Sequence, residues 1–244
     1  MLSIKDLSVK IFADGANKHD ILELQQEPYV KGFTTNPSLM RKAGISDYEG
    51  FALDILKHIT NQPISFEVFS DDFSEMHEQA LHISSWGENV YVKIPVTNTK
   101  GESAAKLIQQ LARAGVKQNV TALMTLEQVK EVADALAGGP KSCISVFAGR
   151  IADTGRDPLP IMIDSLAYMK PQEQLELIWA SPRELFNIFQ ANDIGCHIIT
   201  ATKDILEKLY LVNKDLNEFS LETVNMFYDD ARNAGFRLGV PLIL

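Results

Sequence analysis

Eight short apolar runs rich in β-branched and aromatic residues alternate with longer segments of helical period, and this alternation constrains the chain more than any other feature. The runs are Leu7–Asp14, Val30–Asn36, Ile64–Ser70, Val90–Val96, Asn119–Leu123, Cys143–Arg150, Leu175–Ser181 and Cys196–Thr202. Between them, segments such as Glu102–Ala114, Leu126–Leu136, Arg183–Gln190 and Asp204–Val212 carry apolar residues at i, i+3, i+4 spacing. Strand-then-helix order demands parallel strands with right-handed crossovers, because a parallel pair cannot be joined by a tight turn. Eight such units in 244 residues fit a closed α/β barrel of the (β/α)8 type with short loops. The rival is a doubly wound open sheet, which usually carries a glycine-rich turn after its first strand. Here that strand runs into Ala13-Asp14-Gly15-Ala16-Asn17, with neither G-x-G-x-x-G nor G-x-x-x-x-G-K. A single barrel domain over residues 1–244 is the expectation, with the tail at about 221–236 forming one further helix that caps the barrel or meets another subunit.

Charge and cysteine usage narrow the function classes. With 23 Lys+Arg against 32 Asp+Glu the formal charge is -9, which argues against a general electrostatic grip on nucleic acid or an anionic membrane. Any anionic ligand must be held locally. Cys143 and Cys196 both sit in apolar runs and read as buried thiols of a reducing, cytoplasmic compartment. Met1-Leu2-Ser3-Ile4-Lys5-Asp6 meets charge at once, without the apolar core of a targeting segment, and no run of about 18 apolar residues suggests a membrane span. His19, His58, His77, His82 and His197 show no H-E-x-x-H spacing and no cluster at strand ends, so no metal site is expected.

Each barrel strand has one face toward the helices and one toward the barrel axis, so alternate residues separate. In Val90–Val96 the even positions are aliphatic, which turns Lys93 inward with Tyr91 and Pro95. The same parity turns Glu67 inward beside the outward Ile64, Phe66 and Val68, and sets Asp14 opposite Ile11 and Ala13. A lysine and two carboxylates inside one barrel are a structural ion network or a working site, since isolated buried charges cost several kcal/mol. Chemistry favours the site. A lysine amine attacks carbonyl carbon only when unprotonated, and desolvation in a barrel acts in that direction. Lys93 is thus placed to form a Schiff base, with Asp14 and Glu67 available to move protons. Asp14, Asn36, Arg150 and Ser181 each end an expected strand, where barrel active sites lie. Arg150 and Ser181-Pro182-Arg183 bring two guanidinium groups to neighbouring strand ends, the outline of a phosphate pocket.

Gly32-Phe33-Thr34-Thr35-Asn36-Pro37-Ser38, Val90-Tyr91-Val92-Lys93-Ile94-Pro95 and Ala180-Ser181-Pro182-Arg183 together resemble the transaldolase family, over Phe12 to about Val212. The resemblance implies a (β/α)8 barrel and a class I aldolase mechanism without metal or organic cofactor, moving a dihydroxyacetone unit from a ketose phosphate to an aldose phosphate. It implies Lys93 as the imine-forming residue, Asp14 as acid/base at the hydroxyl beside the cleaved bond, and Glu67 and Thr121 as holders of the proton-transferring water. Asn36 and Ser145 would bind the hydroxyls of the donor, with Thr34, Asn119 and Phe147 lining the same site, and Arg150, Ser181 and Arg183 would take the phosphate. A smaller branch, resembling fructose-6-phosphate aldolase, carries Gln and Tyr where this chain has Glu67 and Phe147, which favours transfer over simple cleavage. Small members of the family are often multimeric, so homo-oligomeric association is implied. The chain departs from the pattern at Gly15, at Pro182 and in the polar loop Val96–Glu102. A relative acting on an unusual sugar, and a barrel that binds a sugar phosphate without turning it over, stay open as alternatives.

Overall fold

In the computed structural model, which describes residues 4–239, eight parallel strands close on themselves in chain order. They are β1 (Lys10–Asp14), β2 (Val30–Thr34), β3 (Ile64–Glu67), β4 (Val90–Pro95), β5 (Gln118–Leu123), β6 (Ser142–Val146), β7 (Leu175–Trp179) and β8 (Ile198–Thr202). Closure is made by β8 against β1, from Lys10↔Ile198 to Asp14↔Thr202, which excludes the open sheet. The expectation about Met1 to Ser3 lies outside the described residues.

Helices connect the strands and are started by side-chain caps. Asn17, Asn36, Asp47 and Asp72 cap α1 (Lys18–Gln25), α2 (Pro37–Lys42), α3 (Tyr48–Leu56) and α4 (Phe73–Ser84), each accepting from a backbone N–H of the first turn. After α5 (Ala105–Arg113), Thr125 and Gln128 form a reciprocal capping box on α6 (Leu126–Leu136). The chain continues through α7 (Ala148–Ala152), α8 (Leu159–Met169), α9 (Phe186–Asp193) and α10 (Lys203–Leu206), and ends in α11 (Leu216–Asn233).

Strand parity divides the core as expected. Ile64, Phe66, Val90, Val92 and Ile94 join the large apolar layer between barrel and helices, while Phe12, Cys143, Ile178 and Ile198 pack with Tyr91 inside the barrel. Each such side chain stabilises by about 1.5–3 kcal/mol when fully buried. Gly32 makes the interior layer fit: a Cβ there would stand 2.6 Å from Phe12 Cζ. Cys143 and Cys196 are buried free thiols, and burial pushes that of Cys196 up to about 12.

Five expected strand ends are corrected, β4 by one residue, since it stops at Pro95 rather than Val96. β2 stops at Thr34, because Thr35 and Asn36 turn into the cap of α2. β3 stops at Glu67 rather than Ser70. β6 stops at Val146, so Arg150 lies within the short helix α7 and does not end a strand. β7 stops at Trp179, and Ser181 lies beyond it with a φ of 60°. Past these ends a single backbone hydrogen bond to the neighbouring strand persists at Thr35, Val68, Phe147 and Ala180, and the chain then turns away, leaving Phe69 and Arg150 exposed. The segment expected at Arg183–Gln190 forms α9 three residues later, and Asp204–Val212 divides into α10 and a 3-10 turn at Glu207–Leu211. The final helix begins at Leu216 and ends at Asn233, and none of its residues is buried.

Candidate active site

The end of the barrel where the strands finish opens into a cavity of about 530 Å³. Its deepest charge is Lys93, 7% exposed. Glu67 and Lys93 are register partners across β3 and β4, which holds Lys93 Nζ 3.4 Å from Glu67 Oε2. Lys93 Nζ also donates to the Thr35 carbonyl at 2.6 Å. Both strands place these groups on the inward parity that the sequence indicated.

Asp14, the last residue of β1, forms the opposite wall. Thr34 Oγ1 donates to Asp14 Oδ1 at 2.7 Å, and Thr34 lies 2.6 Å from Thr200 Oγ1, which is therefore the donor to Thr34. Asn36 divides its amide between two tasks: Oδ1 accepts from Leu39 N at 2.9 Å as a helix cap, and Nδ2 faces Asp14 Oδ2 at 3.4 Å. Burial holds the Asp14 carboxyl above the ordinary 3.8, against the opposing Lys93 charge and the Thr34 and Asn36 hydrogen bonds. Burial thus favours the protonated form of this carboxyl relative to a solvated one.

The third side is a neutral bracket. Ser145 Oγ donates to Asn119 Oδ1 at 2.7 Å, and Asn119 Nδ2 donates to Ser65 Oγ at 3.1 Å, so three strands are tied across the interior. Thr121 lines the cavity beside a bulge in β5, where the pairing slips between Val120 and Leu123 and Ala122 takes a φ of 66°. An alanine in that region is strained, and such strain collects where a chain is bent to present a side chain.

Arg150, Phe147, Ser181 and Arg183 line the outer rim. Arg183 is gripped by Asp153, with Nε 3.0 Å from Oδ1 and Nη2 on Oδ2, which leaves Nη1 for another acceptor. Arg150 is exposed and, among the described residues, makes no ion pair. The helical segment expected from Arg183 starts instead at Phe186 as α9, so Arg183 lies before it, with its backbone N–H donating to Asn187 Oδ1 at 2.8 Å.

Lys93, Asp14, Glu67, Thr121, Asn36 and Thr34 thus share one cavity with Asn119, Ser145, Phe147, Arg150, Ser181 and Arg183. Thr200, Thr202 and Asp204, which carry no motif, line it too. Thr200 and Thr202 occupy the inward parity of β8 next to Ile198, so the rule that singled out Lys93 would have found them. Of the departures, Gly15 leaves open space at its Cβ position and Pro182 lines the cavity. The polar loop folds away from it: Thr97 bridges Ser103, and Thr99 binds both Asp71 carboxylate oxygens at 2.7 Å. Outside the cavity, His19, Asp20 and Glu23 gather ligand atoms within 4.8 Å, but Lys203 Nζ already donates to both carboxylates at 2.7 Å.

Comparison with known proteins agrees with this arrangement. The model of the family described as transaldolase/fructose-6-phosphate aldolase matches residues 11–238. A probable transaldolase of Thermoanaerobacter sp. (strain X514) is 32% identical over 234 residues, covering 94% of this chain and 100% of that protein. Similar relatives are a probable transaldolase of Dehalococcoides mccartyi, 33% identical over 82% of this chain and 90% of its own length, and probable transaldolase 2 of Listeria monocytogenes, 33% identical over 86% and 94%. Among solved structures, 2,3-dimethylmalate lyase superposes with a TM-score of 0.55 at 11% identity, covering 99% of this chain and 88% of that one, and so shares the fold alone. With a matching barrel, a matching family model and relatives of this identity along nearly its whole length, the chain belongs to the transaldolase/fructose-6-phosphate aldolase family.

Proposed function

We propose that this protein is a transaldolase that moves a dihydroxyacetone unit from a ketose phosphate, such as fructose 6-phosphate or sedoheptulose 7-phosphate, to an aldose phosphate, the chemistry of the pentose phosphate pathway. The observation that carries the reading is a buried lysine with a carboxylate 3.4 Å from its Nζ and a second, protonatable carboxyl across the cavity. Lys93 adds to the ketose carbonyl, and loss of water yields the iminium. Asp14 then takes the proton of the hydroxyl on the far carbon of the bond to be cleaved, the carbon that becomes the aldehyde. That bond breaks, the aldose leaves as an aldehyde, and the electron pair is held as an enamine on Lys93. An incoming aldose phosphate accepts the enamine carbon, and hydrolysis frees the new ketose. Glu67 and Thr121 hold the water for imine formation and hydrolysis. Asn36 and Ser145 meet the donor hydroxyls, flanked by Thr34, Asn119 and Phe147, and Arg150, Ser181 and Arg183 take the phosphate, which reconciles an anionic substrate with a chain of charge -9.

Borohydride reduction in the presence of fructose 6-phosphate or dihydroxyacetone tests this. An adduct on the Lys93 peptide supports it, and folded protein that yields none with either donor sinks it. Release of free dihydroxyacetone without an acceptor would identify an aldolase instead. The reaction runs as a single barrel domain in the cytoplasm, where two buried free thiols stay reduced; cell fractionation that finds the protein elsewhere would overturn the location. Among the described residues no helix is long and apolar enough to cross a membrane. Helix α11 exposes Leu216, Val224, Phe227 and Tyr228, each at least 59% accessible, and a second copy of the chain is the proposed cover. Light scattering of the parent and of a Val224→Asp/Phe227→Asp variant decides this, a monomeric mass for the parent being the contrary result.

A further inference from the structure

Glu67 stands where the sheet comes apart. Between β2 and β3, Phe33 N donates to Pro63 O at 2.8 Å and Thr35 N donates to Ser65 O at 3.2 Å. Continued by the alternation of a parallel ladder, the next rung joins the Glu67 N–H to the Thr35 carbonyl. That rung is not made, because the chain leaves β2 to cap α2 through Asn36 and Pro37. Each half finds another partner. The Thr35 carbonyl accepts from Lys93 Nζ at 2.6 Å. The Glu67 N–H donates to the Tyr48 hydroxyl at 2.7 Å, and that hydroxyl donates to the Glu67 carbonyl at 3.2 Å.

The Tyr48 ring is fixed in turn. It opens α3, which Asp47 caps, and packs edge-on against Phe69 at 4.4 Å and Phe66 at 6.2 Å, with Trp86 beside it. One hydroxyl therefore replaces a strand at both polar groups of the Glu67 backbone, from outside the cavity.

We propose that Tyr48 is a positioning residue for the Lys93–Glu67 pair: by taking over the broken rung it fixes the Glu67 backbone and keeps the Thr35 carbonyl free for Lys93. The inference rests on the Schiff-base reading of Lys93. Without the hydroxyl, the acceptor that ladder geometry offers to the Glu67 N–H is the Thr35 carbonyl, so Glu67 and Lys93 compete for one oxygen and both shift.

The test is Tyr48→Phe, which keeps the ring and removes only the hydroxyl. Imine formation, followed by rapid-quench borohydride trapping of fructose 6-phosphate, is expected to slow about tenfold, with KM changed less than about twofold. Trp86→Phe disturbs the same aromatic cluster and is expected to lower the melting temperature without slowing trapping. Trapping at the parent rate in Tyr48→Phe, or equal slowing in Trp86→Phe, would each overturn the positioning role. Absence of an adduct in the parent protein overturns the Schiff-base reading itself, and the two failures are thereby told apart.

Discussion

Gly149→Ala is expected to damage phosphate recognition while leaving carbon chemistry intact. Helix α7 lies so close to the loop after β7 that a Cβ on Gly149 would stand 1.6 Å from the Ser181 carbonyl oxygen, 2.7 Å from its carbon and 3.2 Å from Arg183 Nε. Real Cβ atoms essentially never come under 3.0 Å, so the two segments must open by about 1.4 Å. The loop has little freedom to yield, since Ser181 already sits at a φ of 60°. Arg150 rides on one segment, Ser181 and Arg183 on the other, so the same opening pulls the three groups apart. Overpacking of this kind costs about 1–3 kcal/mol of stability, which lowers the melting temperature by about 2–4 °C per kcal/mol in a chain of this size. Losing one charge-assisted phosphate contact is worth about 1.5–3 kcal/mol, or roughly a 10- to 100-fold rise in KM for fructose 6-phosphate. Steady-state kinetics measure that rise, and borohydride trapping with unphosphorylated dihydroxyacetone supplies the comparison. A folded variant with unchanged KM for the phosphorylated donor, or with equal loss for dihydroxyacetone, would refute the placement of the phosphate at this rim.

Lys93→Arg keeps the positive charge but cannot form an imine, so turnover should vanish while phosphate-dependent binding, read by calorimetry, remains; measurable activity would contradict the mechanism. Arg183→Ala should raise KM for phosphorylated ketoses about tenfold, the low end for a charge-assisted contact because the guanidinium is half exposed, and leave dihydroxyacetone kinetics alone. Asp14→Asn should be inactive yet more stable than the parent at about pH 7. A carboxyl held above 3.8 by burial contributes its full stability below 3.8 and loses it as pH rises through the folded value, so the variant's advantage should shrink on acidification; thermal melts across pH that show no advantage at neutrality would discount the desolvation of Asp14.

Lys93, Glu67 and Asp14 were legible in the sequence because a strand's period of two is rigid: once Val92 and Ile94 are assigned to the helix side, Lys93 has nowhere to go but inward. Where strands stop was less legible. Phe147, Ala148 and Ala180 are as apolar as the strands before them, yet the chain leaves the ladder there, and burial pattern alone cannot distinguish a paired residue from one packed in a turn. Tyr48 and Asp153 were invisible for another reason. Each acts on a residue far along the chain, Glu67 and Arg183, and the need for Tyr48 arises only from a ladder rung broken by Asn36 and Pro37. No local spacing encodes such a vacancy.

The stacking of the barrel interior explains how so polar a site is tolerated. Phe12, Cys143, Ile178 and Ile198 form an apolar layer, which supplies the interior share of stability. Near the strand ends Thr34, Thr200, Asn119, Ser145 and Ser65 satisfy one another, so their hydrogen bonds offset their burial. At the depth of Lys93 the charges are left unbalanced, with the carboxylates of Asp14 and Glu67 facing one ammonium and Arg150, Arg183 and Asp204 placed elsewhere on the lining. If Lys93 forms the proposed iminium, that group carries the same single positive charge as the ammonium it replaces, so the bound intermediate presents the fold with a balance it already accommodates. The free amine between them is the costly state, since it would strand Asp14 and Glu67 together without a cation. Asp14, held protonatable by burial, relieves that state by taking a proton. The same desolvation that weakens the resting fold at Asp14 is thus what would let its carboxyl take up a proton during the proposed reaction.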